Sequence, residues 1–256
     1  MANPLIVSPT TCQGLSWFPP VDVRFAAGEP LIPLHAGELS NAAATMPLAA
    51  VKVERQWRLV GVCGTSQGHN LFVRDGKWLG VYTPQWLKTW PLEIVEIGEK
   101  GVLSIDRDSG VLGSGDDHGE AFFDDAGRPQ AGLAEKAERL KANFPRQRAT
   151  QKALDALAQA GVFTPWPESV TAPLGLTLDG LHMIDERALA NLSDEAYLTL
   201  RRAQALPIAY ALNLSLAQTH LLTRLSRVNA PAGEPPENLD HVFGEDDDDL
   251  TFDFDS

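Results

Sequence analysis

The stretch Asn70–Tyr82, NLFVRDGKWLGVY, sets Asp75-Gly76 between two apolar runs. Both turn residues tolerate the positive φ that a two-residue type I′ turn demands, so the segment predicts a β-hairpin. The same texture continues on either side. Upstream, Ala50–Val53 and Trp57–Cys63 read as strands around a turn at Glu54–Gln56. Downstream, Thr83-Pro84 reads as an N-cap followed by Pro at the first helical position. It opens a short helix, PQWLKTW, that Pro91 stops. Leu92–Ile97 and Val102–Asp106 add two strands. Asp108–Glu120 is a polar, Gly-rich loop, and Ala121–Phe123 a last short strand before a turn at Asp124–Gly127.

From Gly132 the apolar spacing changes to that of a helix. Leu133–Phe144 is one helix. Thr150 caps a second, in which Ala153, Leu154, Leu157 and Ala158 share a face and Gly161 is the C′ residue. Ser193 caps a third, with Leu192 positioned to staple onto Tyr197. Pro207 at the first helical position opens a fourth that ends near Val228. At the other end, residues 1–47 form an irregular arm with short extended pieces, punctuated by proline, with a helical turn at Ser40–Thr45 capped by Ser40 or Asn41.

The expected architecture is α+β. A β-rich N-terminal half with hairpins, about 30–125, packs against a helical C-terminal half, about 131–228, in a single domain over 1–229. Residues 230–256 follow as a disordered acidic C-terminal tail.

Of the 256 residues, 44% are apolar and 21% charged, ordinary values for a globular chain long enough to bury a core. Acids outnumber bases 34 to 21, a net charge of −13. Ten of those 34 acids follow the last base, Arg227, so the remaining 24 nearly balance the 21 bases. The acidity belongs to the tail, and nothing in the balance favours nucleic acid as a partner. Cys12 and Cys63 have no metal or redox spacing and read as reduced thiols packed as small apolar groups. Met1–Pro20 has neither a basic residue nor an unbroken apolar core, so no cleaved signal peptide is expected. The expectation is a cytoplasmic protein, with surface association only by a route needing no such signal. The longest apolar stretch, Leu206–Leu222, is interrupted by Asn213, Ser215, Gln218, Thr219 and His220 and predicts no membrane span.

Several residues carry candidate chemistry. His118-Gly119-Glu120 offers two ligands of a facial triad for non-haem iron, with His182 or His220 as the third. The plainer reading of the same stretch is a solvated loop beside Asp116 and Asp117. His35 and Glu38, in LHAGEL, form an acid–base pair if both line a cleft. Otherwise His35 makes a local hydrogen bond and Glu38 is a helix-start charge. Gly64-Thr65-Ser66-Gln67-Gly68 matches the spacing of a nucleophile elbow, but a hairpin strand follows it where a helix is required. The six tryptophans read chiefly as core, with stacking of sugars or peptide as the second use. The most distinctive element is the tail, GEDDDDLTFDFDS. Asp246, Asp247, Asp248 and Asp249 lead into Leu250, Phe252 and Phe254 at period two. That pattern suits docking of a protein partner with a basic surface.

Three segments together resemble the SapC family of bacterial surface-layer-associated proteins. They are Ile32–Val51 (IPLHAGELSNAAATMPLAAV), Asn70–Pro91 (NLFVRDGKWLGVYTPQWLKTWP) and Leu178–Leu216, where LDGLHMIDERALANLSDE leads into PIAYALNLSL. Phe122–Gly127 and Thr150–Pro165 fit the same pattern, so the resemblance spans most of residues 30–225. The chain departs from it at Leu212, where a His is frequent, and keeps the basic residue before the aromatic-Pro pair only as Lys88. The resemblance implies an accessory role in a surface or uptake system and carries over no catalytic residue or cofactor. Three functional readings follow: a non-catalytic accessory or binding protein of an envelope system, a mononuclear iron oxygenase acting on a protein or peptide, and a structural surface-layer component. The first is preferred.

Overall fold

A computed structural model of the chain describes residues 3–98, 100–114 and 118–229. The N-terminal half contains β1 (Pro4–Ile6), β2 (Leu15–Trp17), β3 (Leu31–Pro33), α1 (Leu39–Ala43), β4 (Leu48–Val53), β5 (Gln56–Val62), β6 (Val73–Arg74), β7 (Lys77–Trp78), α2 (Gln85–Thr89), β8 (Leu92–Ile97), β9 (Lys100–Asp106), β10 (Leu112–Ser114) and β11 (Glu120–Ala121). The C-terminal half contains α3 (Ala131–Gln159), β12 (Phe163–Pro165), α4 (Glu168–Thr171), β13 (His182–Ile184), α5 (Glu186–Ala190), α6 (Asp194–Arg202), α7 (Leu206–Leu214) and α8 (Thr219–Asn229). The class is α+β.

The strands form an antiparallel sheet in the order β12-β13-β4-β5-β3, two three-stranded sheets, β1-β9-β8 and β10-β2-β11, and the β6-β7 hairpin. Asp75 and Gly76 take φ of 50° and 75° at the hairpin turn, as the type I′ reading requires. The N-terminal arm is not peripheral. β1 pairs with β9, β2 lies at the centre of its sheet, and β3 is an edge of the largest one. Asn70 anchors the hairpin to the arm, since its buried side chain donates to the Ala26 carbonyl and accepts from the Phe72 N–H.

Buried side chains gather in two clusters. The larger lies on the five-stranded sheet and includes Leu48, Leu59, Leu154, Leu157, Ile184, Ile208 and Leu212. The smaller includes Leu5, Trp17, Leu92, Ile105, Phe122, Leu133 and Leu140. Helix α3 supplies both: Leu133 and Leu140 to the smaller, Ala153, Leu154 and Leu157 to the larger. It sits closely on β8 and β9, where a Cβ added at Gly101 would come within 2.9 Å of the Phe144 ring.

The two helices expected over 133–161 are therefore one, and Thr150 is an interior residue rather than a cap. Pro145 lies inside the helix. An interior proline deletes one backbone hydrogen bond and costs about 3 kcal/mol. Here it falls on the exposed side, where water can serve the freed carbonyl, and each end of the helix is buried in a separate core.

Smaller differences have local causes. The turn at Ser40–Thr45 begins one residue earlier, as α1, and follows a 3-10 turn capped by His35. Pro84 is the N-cap of α2, and Pro207 is the second residue of α7. The polar loop contains β10, held by pairing with distant β2. The last predicted helix divides into α7 and α8 at a 3-10 turn, Ser215–Gln218. The buried Ser215 hydroxyl there accepts from the Leu48 N–H and donates to the Leu212 carbonyl. Cys12 and Cys63 are free thiols in different clusters, as expected for small buried groups. No described helix is long and apolar enough to cross a membrane. The tail over 230–256 lies outside the described residues.

Replacing Asn70 by Ala strands the Phe72 N–H in the interior and leaves the Ala26 carbonyl with the Glu29 N–H alone. One stranded group predicts a loss of about 1–3 kcal/mol in urea unfolding. A loss below about 0.5 kcal/mol would show that Asn70 does not anchor the hairpin.

Candidate binding site

Between its two buried ends, α3 has a polar stretch in which Asn143, Gln147 and Gln151 recur every four residues and so share one face. This face meets His35 and Glu38 from the turn before α1, Gln85 and Trp86 from α2, Arg58 from β5 and Glu93 from β8 around a cavity of about 220 Å³. Arg58, Trp86, Glu93, Gln147 and Gln151 also line a groove of about 1380 Å³, so the cavity is the inner end of that groove.

His35 and Glu38 do line one cleft, and their geometry is specific. Both are almost fully buried, with side chains 4% and 3% exposed. Glu38 is not a solvated helix-start charge. Its Oε2 accepts the His35 backbone N–H at 3.0 Å, while Oε1 accepts the Tyr82 hydroxyl and the Gln85 N–H, each at 2.8 Å. His35 Nδ1 accepts the Gly37 N–H at 3.1 Å, completing a reciprocal cap of the kind usually built on Ser or Thr. The proton of the neutral ring therefore lies on Nε2, which is buried with no hydrogen-bond partner among the described residues, 3.5 Å from Glu38 Oε2. Thr150 ties the turn to α3, because its hydroxyl accepts the Ala36 N–H and donates to the Arg146 carbonyl, each at 2.7 Å. A Cβ at Gly37 would stand 2.8 Å from Arg146 and 3.1 Å from the His35 ring, so a side chain there would have to displace the arginine and press on the imidazole.

Burial pushes the His35 pKa down. The Glu38 charge opposes this and the Arg146 charge adds to it. Burial, reinforced by the Glu38 carboxylate, pushes Tyr82 up. Burial also raises Glu93, with the N-terminal charge and Arg58 acting against it. The Glu93 carboxyl makes no hydrogen bond or ion pair among the described residues, and neither does the Gln147 amide.

The other candidates do not converge. Glu120 pairs opposite Trp17 in the β2 sheet, with His118 just before it. His182 lies in β13, edge-on to Trp57, with Nδ1 at 2.9 Å from the Gly180 carbonyl. His220 Nδ1 lies 2.6 Å from the Ala217 carbonyl in α8. Among the described residues no group of three or more His, Cys, Asp or Glu could hold a metal. Ser66 lies in a loop that leads to β6, not to a helix. Of the tryptophans, Trp17 and Trp166 are core, and the other four are half-buried. Asp246, Asp247, Asp248, Asp249, Leu250, Phe252 and Phe254 lie outside the described residues.

The fold and cleft define an α+β protein whose one long helix joins two cores and lines a polar groove. A model of the SapC family matches residues 8–222, most of the chain. The protein belongs to that family. No curated protein and no solved structure matches it.

Glu38→Ala leaves three N–H or O–H donors without their acceptor and predicts a loss of about 3 kcal/mol or more, against about 1 kcal/mol for Tyr82→Phe, both read by urea unfolding. Equal, small losses would remove Glu38 from the centre of the network. The His35 pKa gives a second prediction. Because it lies below the ordinary 6.5, the unfolded chain takes up the proton first as pH falls. Stability present above about pH 6.5 is then lost on acidification towards the folded-state pKa. Unfolding free energies at pH 7.5 and 5.5 are expected to differ more in the native protein than in His35→Gln. The same difference in both would contradict a buried neutral His35.

Proposed function

We propose that the protein is a non-catalytic accessory, a binding protein of a bacterial surface-layer or envelope-associated system. In this reading the groove receives a segment of a protein partner, and Asp246–Phe254 adds attraction to that partner's basic surface. The observation that carries it is how His35 and Glu38 are used. Acid–base catalysis needs a group with a free lone pair or an exchangeable proton within reach of substrate. Here Nδ1 and both Glu38 oxygens accept from protein donors, and the Nε2 proton is buried away from the cleft's solvent. The pair is thereby engaged in fixing the shape of the cleft. Family membership supports the envelope context, and the charge split of the sequence supports the tail as the long-range attractor.

The test is affinity capture from an envelope fraction with the full chain and with a full chain carrying Asp246→Asn, Asp247→Asn, Asp248→Asn and Asp249→Asn. The native chain is expected to hold an envelope protein that the variant holds at least about fivefold more weakly. Raising the salt to ~0.5 M, where the screening length falls to a few ångströms, is expected to release it. Equal retention by both chains, or retention insensitive to salt, would contradict docking through the tail.

A further inference from the structure

The groove runs along an open strand edge. Among the described residues, β8 of the β1-β9-β8 sheet pairs only with β9. Glu93, Ile94, Val95 and Glu96 are consecutive in β8, and all four line the groove. Successive side chains of a strand point to opposite faces. Four consecutive residues bordering one space place that space along the strand's unpaired edge, where its outward N–H and C=O groups stand. Such an edge is a ready template for another strand. On the far wall, α3 presents Gln147 and Gln151 at one-turn spacing, and an Arg148–Glu96 ion pair at 3.2 Å ties the helix to the C-terminal part of β8.

We infer that β8 is a strand-addition site, which takes an extended segment of a partner protein with a basic side chain directed at Glu93. This rests on the reading of the groove as a binding cleft and names how the partner enters it. The edge fixes an extended backbone as the occupant, because main-chain groups supply most of the attraction in this mode. Glu93 fixes the side chain. It is a half-buried carboxyl at the mouth of the inner cavity, without a hydrogen bond or contact ion pair among the described residues, and the N-terminal charge and Arg58 act on it only through their fields. A lysine or arginine reaching this point pairs with a charge that water only partly serves. The opposite edge of the groove is a poorer template, since β3 is three residues long and ends in Pro33, which has no N–H. The groove as a whole carries no net charge that would draw in a strongly acidic segment: Arg58, Arg148, Lys152 and Arg202 face Glu29, Glu93, Glu96 and Asp155.

The probes are two blocked hexapeptides, TVKVTV and TVEVTV, titrated into the full-length protein with hydrogen exchange followed on the complex. TVKVTV is expected to bind and to slow amide exchange within Glu93–Glu96, with no matching change at β1, the other edge of that sheet. TVEVTV is expected to bind about tenfold more weakly. Glu93→Gln is expected to erase the preference between them, and Gln147→Ala, at an exposed helix position, to weaken both by about three- to tenfold while the fold is retained. Protection away from β8, no binding at millimolar peptide, or a preference for TVEVTV would each overturn the inference. So would a peptide of residues 244–256 that protects β8 and competes with TVKVTV, because the occupant would then be the chain's own tail. Peptide binding does not depend on the tail acids, so its failure is distinct from a failure of salt-sensitive capture through Asp246–Asp249.

Discussion

The structure depends on α3 remaining one helix through Pro145. Its first half is buried through Leu133 and Leu140 among the strands around β2 and β9. Its last part is buried through Ala153, Leu154 and Leu157 on the five-stranded sheet. An interior proline would ordinarily end such a helix. Here each end is held by its own apolar cluster, and apolar burial of several large side chains exceeds the penalty of one missing hydrogen bond. The middle of the helix is consequently suspended between two cores. There Phe144 packs on β8 and β9, while the side toward the cleft carries the amides Asn143, Gln147 and Gln151.

That constraint positions everything at the cleft. The turn carrying His35 and Glu38 is hung on α3 through Thr150 and fitted beneath Arg146 by Gly37. Glu38 then gathers Tyr82, from the chain that follows the hairpin, and Gln85, from α2, onto one carboxylate. Stacking of Phe25 on Trp90, with ring centroids 4.1 Å apart, holds the far end of α2 against the arm. Three segments distant in sequence, the His35–Glu38 turn, Tyr82–Gln85 and α3, are thus fixed together beside one cavity. Both Glu38 oxygens and His35 Nδ1 are satisfied in this network, and among the described residues only its His35 Nε2 lacks a partner.

Much of the fold was legible because its signals are local. Asp75-Gly76 specifies its turn by backbone chemistry alone, and Ser193 caps α6 through a hydrogen bond from Ala196. The misread elements are those whose reason lies elsewhere in the chain. β10 exists because β2 pairs with it. The sequence predicts two helices, Leu133–Phe144 and one capped by Thr150, whereas the residues between them continue a single helix past a cavity, with Asn143, Gln147 and Gln151 recurring every four residues. The pairing of His35 with Glu38 was visible as a spacing, but not its inward use, since histidine is not among the usual residues of a reciprocal cap. Tyr82, Thr150 and Glu93 carry no motif and are brought to the cleft only by tertiary packing. Family membership, read from segments dispersed between Ile32 and Leu216, was accessible where individual site residues were not.

The central claim, that one continuous helix spans both cores and forms a wall of the cleft, is tested most directly by a spin-label distance across Pro145. Glu138 and Lys152 are both exposed, and the two native thiols are buried, so Glu138→Cys and Lys152→Cys can be labelled selectively. At 1.5 Å per residue, fourteen residues of straight helix separate the two backbones by about 21 Å. The account predicts a single narrow distribution centred near that separation once label length is allowed for. A broad or markedly shorter distribution would mean two helices hinged at Pro145, and the cleft described here would lose the wall that holds it open.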